Sequence, residues 1–354
     1  RQADQGWLPG LDLDAEVRTR IQEELTHAFD LAAPPLFRVR VLRVSADEVI
    51  SVFTIHHIVC DERSIHLLHR EWSTLYNSSL RDRDALPSLP VQYKDYAAWN
   101  NRLADGADPA SESHRAFWLQ YLGGELPQTT VPADKERPST KTYRGENVSG
   151  LLPQAIATRL LRLAHDGKLS AFMTLAALVE VLLHRYTGEE DLVLGTAVSG
   201  RDHAQLENQV GFYVNTLPLR YRISSELTFR ELLSATKTAT LAAFEYQNYP
   251  FDKIVEDCKP SRDPSRNPLF EILLLLHPDE GSAAQFDGVH AEPLSFPSHT
   301  SLFDLTFNFR HEGGEIRFVI EYNPDLYLRL KIEQLCRHLE RAADWLTLRP
   351  DAPL

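Results

Sequence analysis

The sequence predicts an α/β fold with mixed sheets in two lobes, and three observations lead there. Helical and strand periodicities interleave along the whole chain. The length, 354 residues, is more than one ordinary core holds. The stretch "LPQTTVPADKERPSTKTYRG" (126–145) is rich in Pro, Thr and charge, has no periodicity, and reads as a linker between lobes 1–135 and 136–354.

The elements follow in order. Val17, Ile21, Leu25 and Phe29 recur every four residues and mark a helical stripe. "LFRVRVLRV" alternates apolar with basic, as a half-buried strand does. "EVISVFTIHH" is more continuously apolar and β-branched, which predicts a central strand buried on both faces. Ser64 is the expected N-cap of the next helix, whose stripe is Ile65, Leu68, Trp72, Leu75 and Tyr76. "HRAFWLQYLGGEL" predicts another helix ahead of the linker. A helical pair then covers about 154–186, followed by the strand "DLVLGTAVSGR", the stretch "VGFYVNTLPLR", a helix near 228–246 and the strand "LFEILLLLH". Around Gly313-Gly314, the alternations Phe303, Leu305, Phe307, Phe309 and Ile316, Phe318, Ile320, Tyr322 predict a hairpin. An amphipathic helix over about 328–347 closes the pattern, and no repeat is found.

Composition narrows the function. A net charge of −13 disfavours a nucleic-acid surface, which needs clustered Lys and Arg. Cys60, Cys258 and Cys336 are too few and too scattered for a disulfide or zinc framework, so a reducing compartment is expected. With no apolar run of membrane-spanning length and no signal peptide, the expected location is cytoplasmic. The start at Arg1, without methionine, suggests a piece of a longer protein. Asn77-Ser-Ser and Asn147-Val-Ser match the glycosylation pattern, which carries no weight in a cytosolic protein.

The stretch "TIHHIVCDERSIHLLHREW" (54–72) concentrates the chemistry. His57 with Asp61, and His66 with His69, could each supply a metal pair, yet no zinc tetrad or HExxH pattern completes them. His66 and His69 read as a half-buried helix face, and no metal is expected. Cys60 reads as a small buried side chain rather than a lowered-pKa thiolate. A histidine ending a buried strand is different. It can be held rigidly, and an imidazole takes and returns protons near neutrality. By spacing alone, packing and general acid–base catalysis both remain open.

Five motifs then converge. "HHIVCDE" (56–62) resembles the HHxxxDG motif of the condensation domains of nonribosomal peptide synthetases. "YKDYAAW" (93–99), "VGFYVNTLPLR" (210–220), "YQNYPFDKIVE" (246–256) and "RDPSRNPLF" (262–270) are similar to four further motifs of that family, in the same order. Two motifs that open such domains, S-x-A-Q-x-R and R-H-x-x-L-R-T, have no match, so the front of the N-terminal lobe is expected to be absent from this chain.

The resemblance implies a chloramphenicol-acetyltransferase-like fold, two αβα lobes in a V around a tunnel. Donor and acceptor carrier proteins would deliver substrates on phosphopantetheine arms, next to an adenylation domain. The acceptor amine would attack the donor thioester, with no cofactor bound by the domain itself. His57 would take the amine's proton or orient the amine and the tetrahedral intermediate. His56 and Asp61 would be structural, the latter salt-bridged to an arginine for which Arg201, Arg220 and Arg266 are candidates; Asn215 would line the tunnel. Where the motif ends in glycine, this chain has Glu62, followed by Arg63. Glycine there leaves room for the arm and tolerates unusual backbone angles; a carboxylate must face solvent or find a cation. Two readings follow: a working condensation domain, preferred because both histidines are intact, or a degenerate platform that recruits a tailoring oxygenase. A free-standing acyltransferase shares the fold but not these carrier-domain motifs.

Overall fold

The computed structural model describes residues 15–78, 86–106, 108–260, 263–278, 285–294 and 299–354. Arg262, which opens the fifth motif, and Ser79, which ends the first glycosylation pattern, lie outside them. The chain divides into two compact units: residues 1–98, 201–214 and 281–297 form the first, and 99–200, 215–280 and 298–354 the second.

In the first unit, α1 (Ala15–Thr26) precedes an antiparallel pair, β1 (Phe37–Arg43) and β2 (Val49–Ile55), in register from Phe37 opposite Ile55 to Arg43 opposite Val49. The basic face of β1 meets the helix. Glu24 of α1 is buried and receives Arg38 at 2.6 Å and Arg40 at 3.1 Å, and these guanidiniums hold its carboxyl below the usual range. The apolar face is the open one, with Phe37, Val39 and Val41 54%, 50% and 62% exposed. The expected burial is thus inverted, because the buried Glu24 carboxylate pairs with both arginines and draws their face toward α1. β2 is not a central strand: among the described residues it pairs with β1 alone and buries only Val52 and Thr54.

A one-turn 3₁₀ segment (His57–Val59) leads from β2 into α2 (Glu62–Asn77). Asp61, not Ser64, caps α2: its side chain accepts from the Ser64 amide at 2.8 Å, which makes Ser64 the third helical residue. The buried residues of α2 are Ser64 and Leu67, while Trp72, Leu75 and Tyr76 of the expected stripe are exposed. The helix is pulled toward the segment 201–214, where Gly211 accepts from Ser64 and Asn208 from Arg70. α3 (Tyr93–Ala104) contributes its first half to this unit.

The second unit holds the main core. After α4 (Ser111–Tyr121) come β3 (Glu146–Leu152), α5 (Gln154–Gly167), α6 (Ala171–Thr187), β4 (Asp191–Val198) and β5 (Asn215–Arg222). α7 (Phe229–Glu245), α8 (Phe251–Cys258), β6 (Ile272–His277), β7 (Leu305–Glu312), β8 (Glu315–Tyr322) and α9 (Arg329–Leu348) follow. Six strands form one mixed sheet in the order β3-β8-β7-β6-β4-β5, with β6 parallel to β4 and β7 and the other pairs antiparallel. The expected hairpin is β7–β8, turned at Gly313 and Gly314 with φ of 58° and 84°, angles that favour glycine. Leu305, Phe307, Phe309, Phe318 and Ile320 are buried in one core with residues of α5, α6, α7 and α9. No single helix among the described residues is long and apolar enough to cross a membrane.

The stretch 126–145 is no linker between units but a strap on the second. Thr129 accepts from the Val193 amide at 2.8 Å, the Val131 carbonyl accepts from Tyr327 at 3.1 Å, Asp134 pairs with Lys331 at 2.7 Å, and Arg137 pairs with Asp304. Low periodicity marked irregular backbone, but the irregular backbone finds its partners on the sheet and α9. The chain first passes from one compact unit to the other between residues 98 and 99, inside α3.

Glu180 of α6 is one of the polar residues buried in this unit. It is buried, one oxygen accepts from Thr236 at 2.9 Å, and the other has no hydrogen-bond partner among the described residues. Burial raises its carboxyl from the ordinary 4.5 to about 8. The folded state therefore keeps a proton that the unfolded chain gives up, so this contribution to stability is present below about pH 4.5 and is lost as pH rises through about 8. Glu180→Gln is expected to raise the melting temperature by a few degrees at pH 8 and hardly at pH 5, read by thermal unfolding of parent and variant across pH.

Candidate active site

The two adjacent histidines have opposite hydrogen-bond roles, set by local backbone. His56 caps the 3₁₀ turn, and its Nδ1 accepts from the Ile58 amide at 3.1 Å. His57 Nδ1 lies 2.7 Å from the Cys60 carbonyl. A carbonyl only accepts, so His57 Nδ1 carries the hydrogen and the neutral ring keeps a lone pair on Nε2. In neutral His56 the reverse holds. Of the pair, only His57 then has a free basic nitrogen. The Phe212 ring meets the His57 ring edge-on, with centroids 5.2 Å apart.

Beneath the turn lies a buried ion pair. Asp61 is 2% exposed and binds Arg201 Nη2 through Oδ1 at 2.8 Å and Oδ2 at 2.9 Å. Asp61 also accepts from the Ser64 hydroxyl at 2.7 Å and the Tyr213 amide at 3.1 Å, and its own amide donates to the Gly211 carbonyl at 3.1 Å. Arg201 donates further to the Leu206 and Gln209 carbonyls, both at 2.9 Å, and its guanidinium carbon stands 4.0 Å from the centre of the Tyr213 ring. Gly211 is needed for closeness: a Cβ there would come within 2.4 Å of the Tyr93 ring and 2.8 Å of the Tyr213 ring. The carboxylate thus caps α2, fixes the 201–214 segment and anchors the end of the histidine turn.

Among the three candidate arginines, Arg201 is the one on Asp61. Arg220 pairs with Asp191 at 2.6 Å, and Arg266 lies 3.6 Å from Glu271 and 3.5 Å from Asp263. Arg266 therefore belongs to a polar cluster of the second unit that does not include Asp61. Asn215 is also in the second unit. Its amide donates to the Gln247 and Tyr249 carbonyls at 2.7 and 2.8 Å, and its oxygen accepts from the Thr216 and Phe251 amides at 2.9 and 3.1 Å. With both hydrogens and the oxygen engaged, Asn215 ties β5 to the α7–α8 turn and has no donor left for a substrate. Cys60 is buried, and burial pushes its thiol up to about 11, which suits a packing role. Glu62 is the first residue of α2, half-buried, in ordinary right-handed backbone. The glycine's conformational freedom is therefore not required here. A carboxylate in a helix's first turn is in fact stabilised by the helix dipole.

Sequence reasoning had no place for Ser64, Tyr93 or Phe212 in this arrangement. Ser64 stood out as a cap, which was the nearest signal; Tyr93 and Phe212 lie inside quoted motifs, but which of their atoms meet depends on the fold.

This fold is the chloramphenicol-acetyltransferase-like fold of condensation domains. The chain superposes on the X-domain from teicoplanin biosynthesis with a TM-score of 0.86 at 24% identity, covering 98% of this chain and 79% of that one. The same likeness holds for the complex of the X-domain and OxyB, with a TM-score of 0.84, 24% identity, and coverage of 96% and 76%. For the first condensation domain of the CDA synthetase the TM-score is 0.76 at 20% identity, with coverage of 96% and 74%. The Condensation domain family model matches residues 10–354, and the chain belongs to that family. Over 344 residues, 97% of this chain, it is 33% identical to tyrocidine synthase 3 of Brevibacillus parabrevis. It spans only 5% of that relative's length.

Replacing Asp61 by Ala would leave Arg201 buried without its carboxylate. The expected loss is about 3–5 kcal/mol, measured by urea unfolding, because an uncompensated buried charge costs that much.

Proposed function

We propose that this domain forms an amide bond between two carrier-bound substrates, as part of a longer synthetase. The acceptor's amine nitrogen attacks the donor's thioester carbonyl, the carbon–sulfur bond breaks, and the phosphopantetheine thiol leaves. His57 Nε2 takes the proton that the amine sheds and returns it to the departing sulfur. The observation that carries this reading is the His57 Nδ1 bond to the Cys60 carbonyl, which leaves Nε2 basic without any change of tautomer. No covalent enzyme intermediate is needed. Holding two tethered arms together supplies effective molarities on the order of 10⁵ M or more, and the histidine adds proton transfer. His56 and Asp61 with Arg201 support the turn without touching substrate. The partners on this reading are donor and acceptor carrier proteins and an adjacent adenylation domain, with phosphopantetheine as the substrate tether and no cofactor held by the domain.

A second reading is favoured by one residue. Glu62 puts a carboxylate where the family motif has glycine, and a domain closed in this way would act as a platform for an oxygenase. The teicoplanin X-domain has been solved in complex with OxyB. The right-handed backbone at Glu62 speaks for the first reading, since no strained glycine conformation has been lost.

The test is single-turnover amide formation with loaded donor and acceptor carrier proteins. The parent is expected to form product, with His57→Ala slower by about 10²-fold or more, the usual scale of general acid–base catalysis. No product from the parent, but product from Glu62→Gly, would make Glu62 a plug and turn the reading to the platform.

A further inference from the structure

Three observations in the first unit bear on how His57 is aimed. Its imidazole is solvent-exposed, so packing from all sides does not fix the ring. Its only neighbouring ring in aromatic contact among the described residues is Phe212, edge-on at 5.2 Å and itself 37% exposed. The backbone of Phe212 is in turn held by the Tyr93 hydroxyl, which donates to the Phe212 carbonyl at 2.9 Å. Tyr93 is seated by Tyr213, edge-on at 5.2 Å, and by Tyr96 at 5.9 Å. It packs where the absent side chain of Gly211 makes room. The Asp61 and Tyr213 bonds already described fix the residues on either side of Phe212.

We propose that Phe212 and Tyr93 are positioning residues for His57: the Tyr93 hydroxyl fixes the Phe212 backbone, and the Phe212 ring holds the imidazole in the plane in which Nδ1 donates to the Cys60 carbonyl and Nε2 stays free. Rotation of an exposed imidazole about its last side-chain bond is soft. An edge-to-face aromatic neighbour narrows that rotation and is worth more than its area alone. Without it, Nδ1 leaves the Cys60 carbonyl for part of the time, the hydrogen distributes over both nitrogens, and Nε2 is less often the basic one. The catalytic consequence rests on the proposed role of His57; the tautomer itself does not.

The experiment pairs two readouts on the whole chain with Phe212→Ala, Phe212→Tyr and Tyr93→Phe. Nitrogen-15 spectra of His57, assigned by loss of its signals in His57→Ala, report the tautomer above the imidazole's titration. The parent is expected to show one form, hydrogen on Nδ1. Phe212→Ala and Tyr93→Phe are expected to shift toward a mixture, and Phe212→Tyr to restore the parent pattern. Single-turnover amide formation is expected to slow about ten-fold in Phe212→Ala with half-saturation by the acceptor carrier unchanged, as for a misaimed group. Parent-like nitrogen shifts in both Phe212→Ala and Tyr93→Phe would overturn the proposal, whatever the rates. If His57→Ala leaves amide formation unchanged, the condensation reading fails, and the nitrogen spectra still decide the positioning.

Discussion

The buried pair of Asp61 and Arg201 is the constraint on which the rest of the histidine site hangs. Both charges are out of water, and such a pair is tolerable only where hydrogen bonds take up the remaining capacity. Here they take up all of it but the Arg201 Nε–H, which has no hydrogen-bond partner among the described residues, and the bonds made each go somewhere useful. The carboxylate caps α2, binds the Ser64 hydroxyl and takes the Tyr213 amide, while the guanidinium gathers carbonyls at 206 and 209. A segment more than 130 residues away in sequence is thereby sewn to the loop after β2. The histidine turn inherits its rigidity from beneath, although the imidazole of His57 itself faces solvent.

That division of labour explains why a glycine position can carry Glu62. The motif's aspartate does the structural work through its side chain, and the next residue simply begins a helix. Any residue that accepts helical angles fits the backbone, and an acid suits the positive end of α2. What a glycine would add there is space.

Much of the fold was legible in the sequence. The hairpin at Gly313-Gly314, the α5–α6 pair and α7 and α9 stand close to where periodicity put them, because their apolar residues face one large core. The misreadings share a cause. β1 alternates apolar and basic residues, and pattern alone assigns the apolar side to the interior; a single glutamate on α1 reverses that. The 126–145 stretch reads as a linker because its burial comes from scattered polar bonds rather than from a repeating stripe. Within the site, the family resemblance picked out both histidines, Asp61 and a set of three arginines. Choosing Arg201 from that set, and finding Asn215 fully occupied by backbone, required distances between residues far apart in the chain.

The opposite roles of the two histidines have a consequence for labelling. An imidazole nitrogen reacts with an electrophile through a free lone pair. In His56 that pair on Nδ1 is committed to the Ile58 amide, and in the neutral ring the other nitrogen carries hydrogen. In His57 the Cys60 carbonyl holds the hydrogen on Nδ1 and leaves Nε2 open. A histidine-directed acylating reagent therefore meets one nucleophilic nitrogen in the pair, and the adduct forms on His57 Nε2.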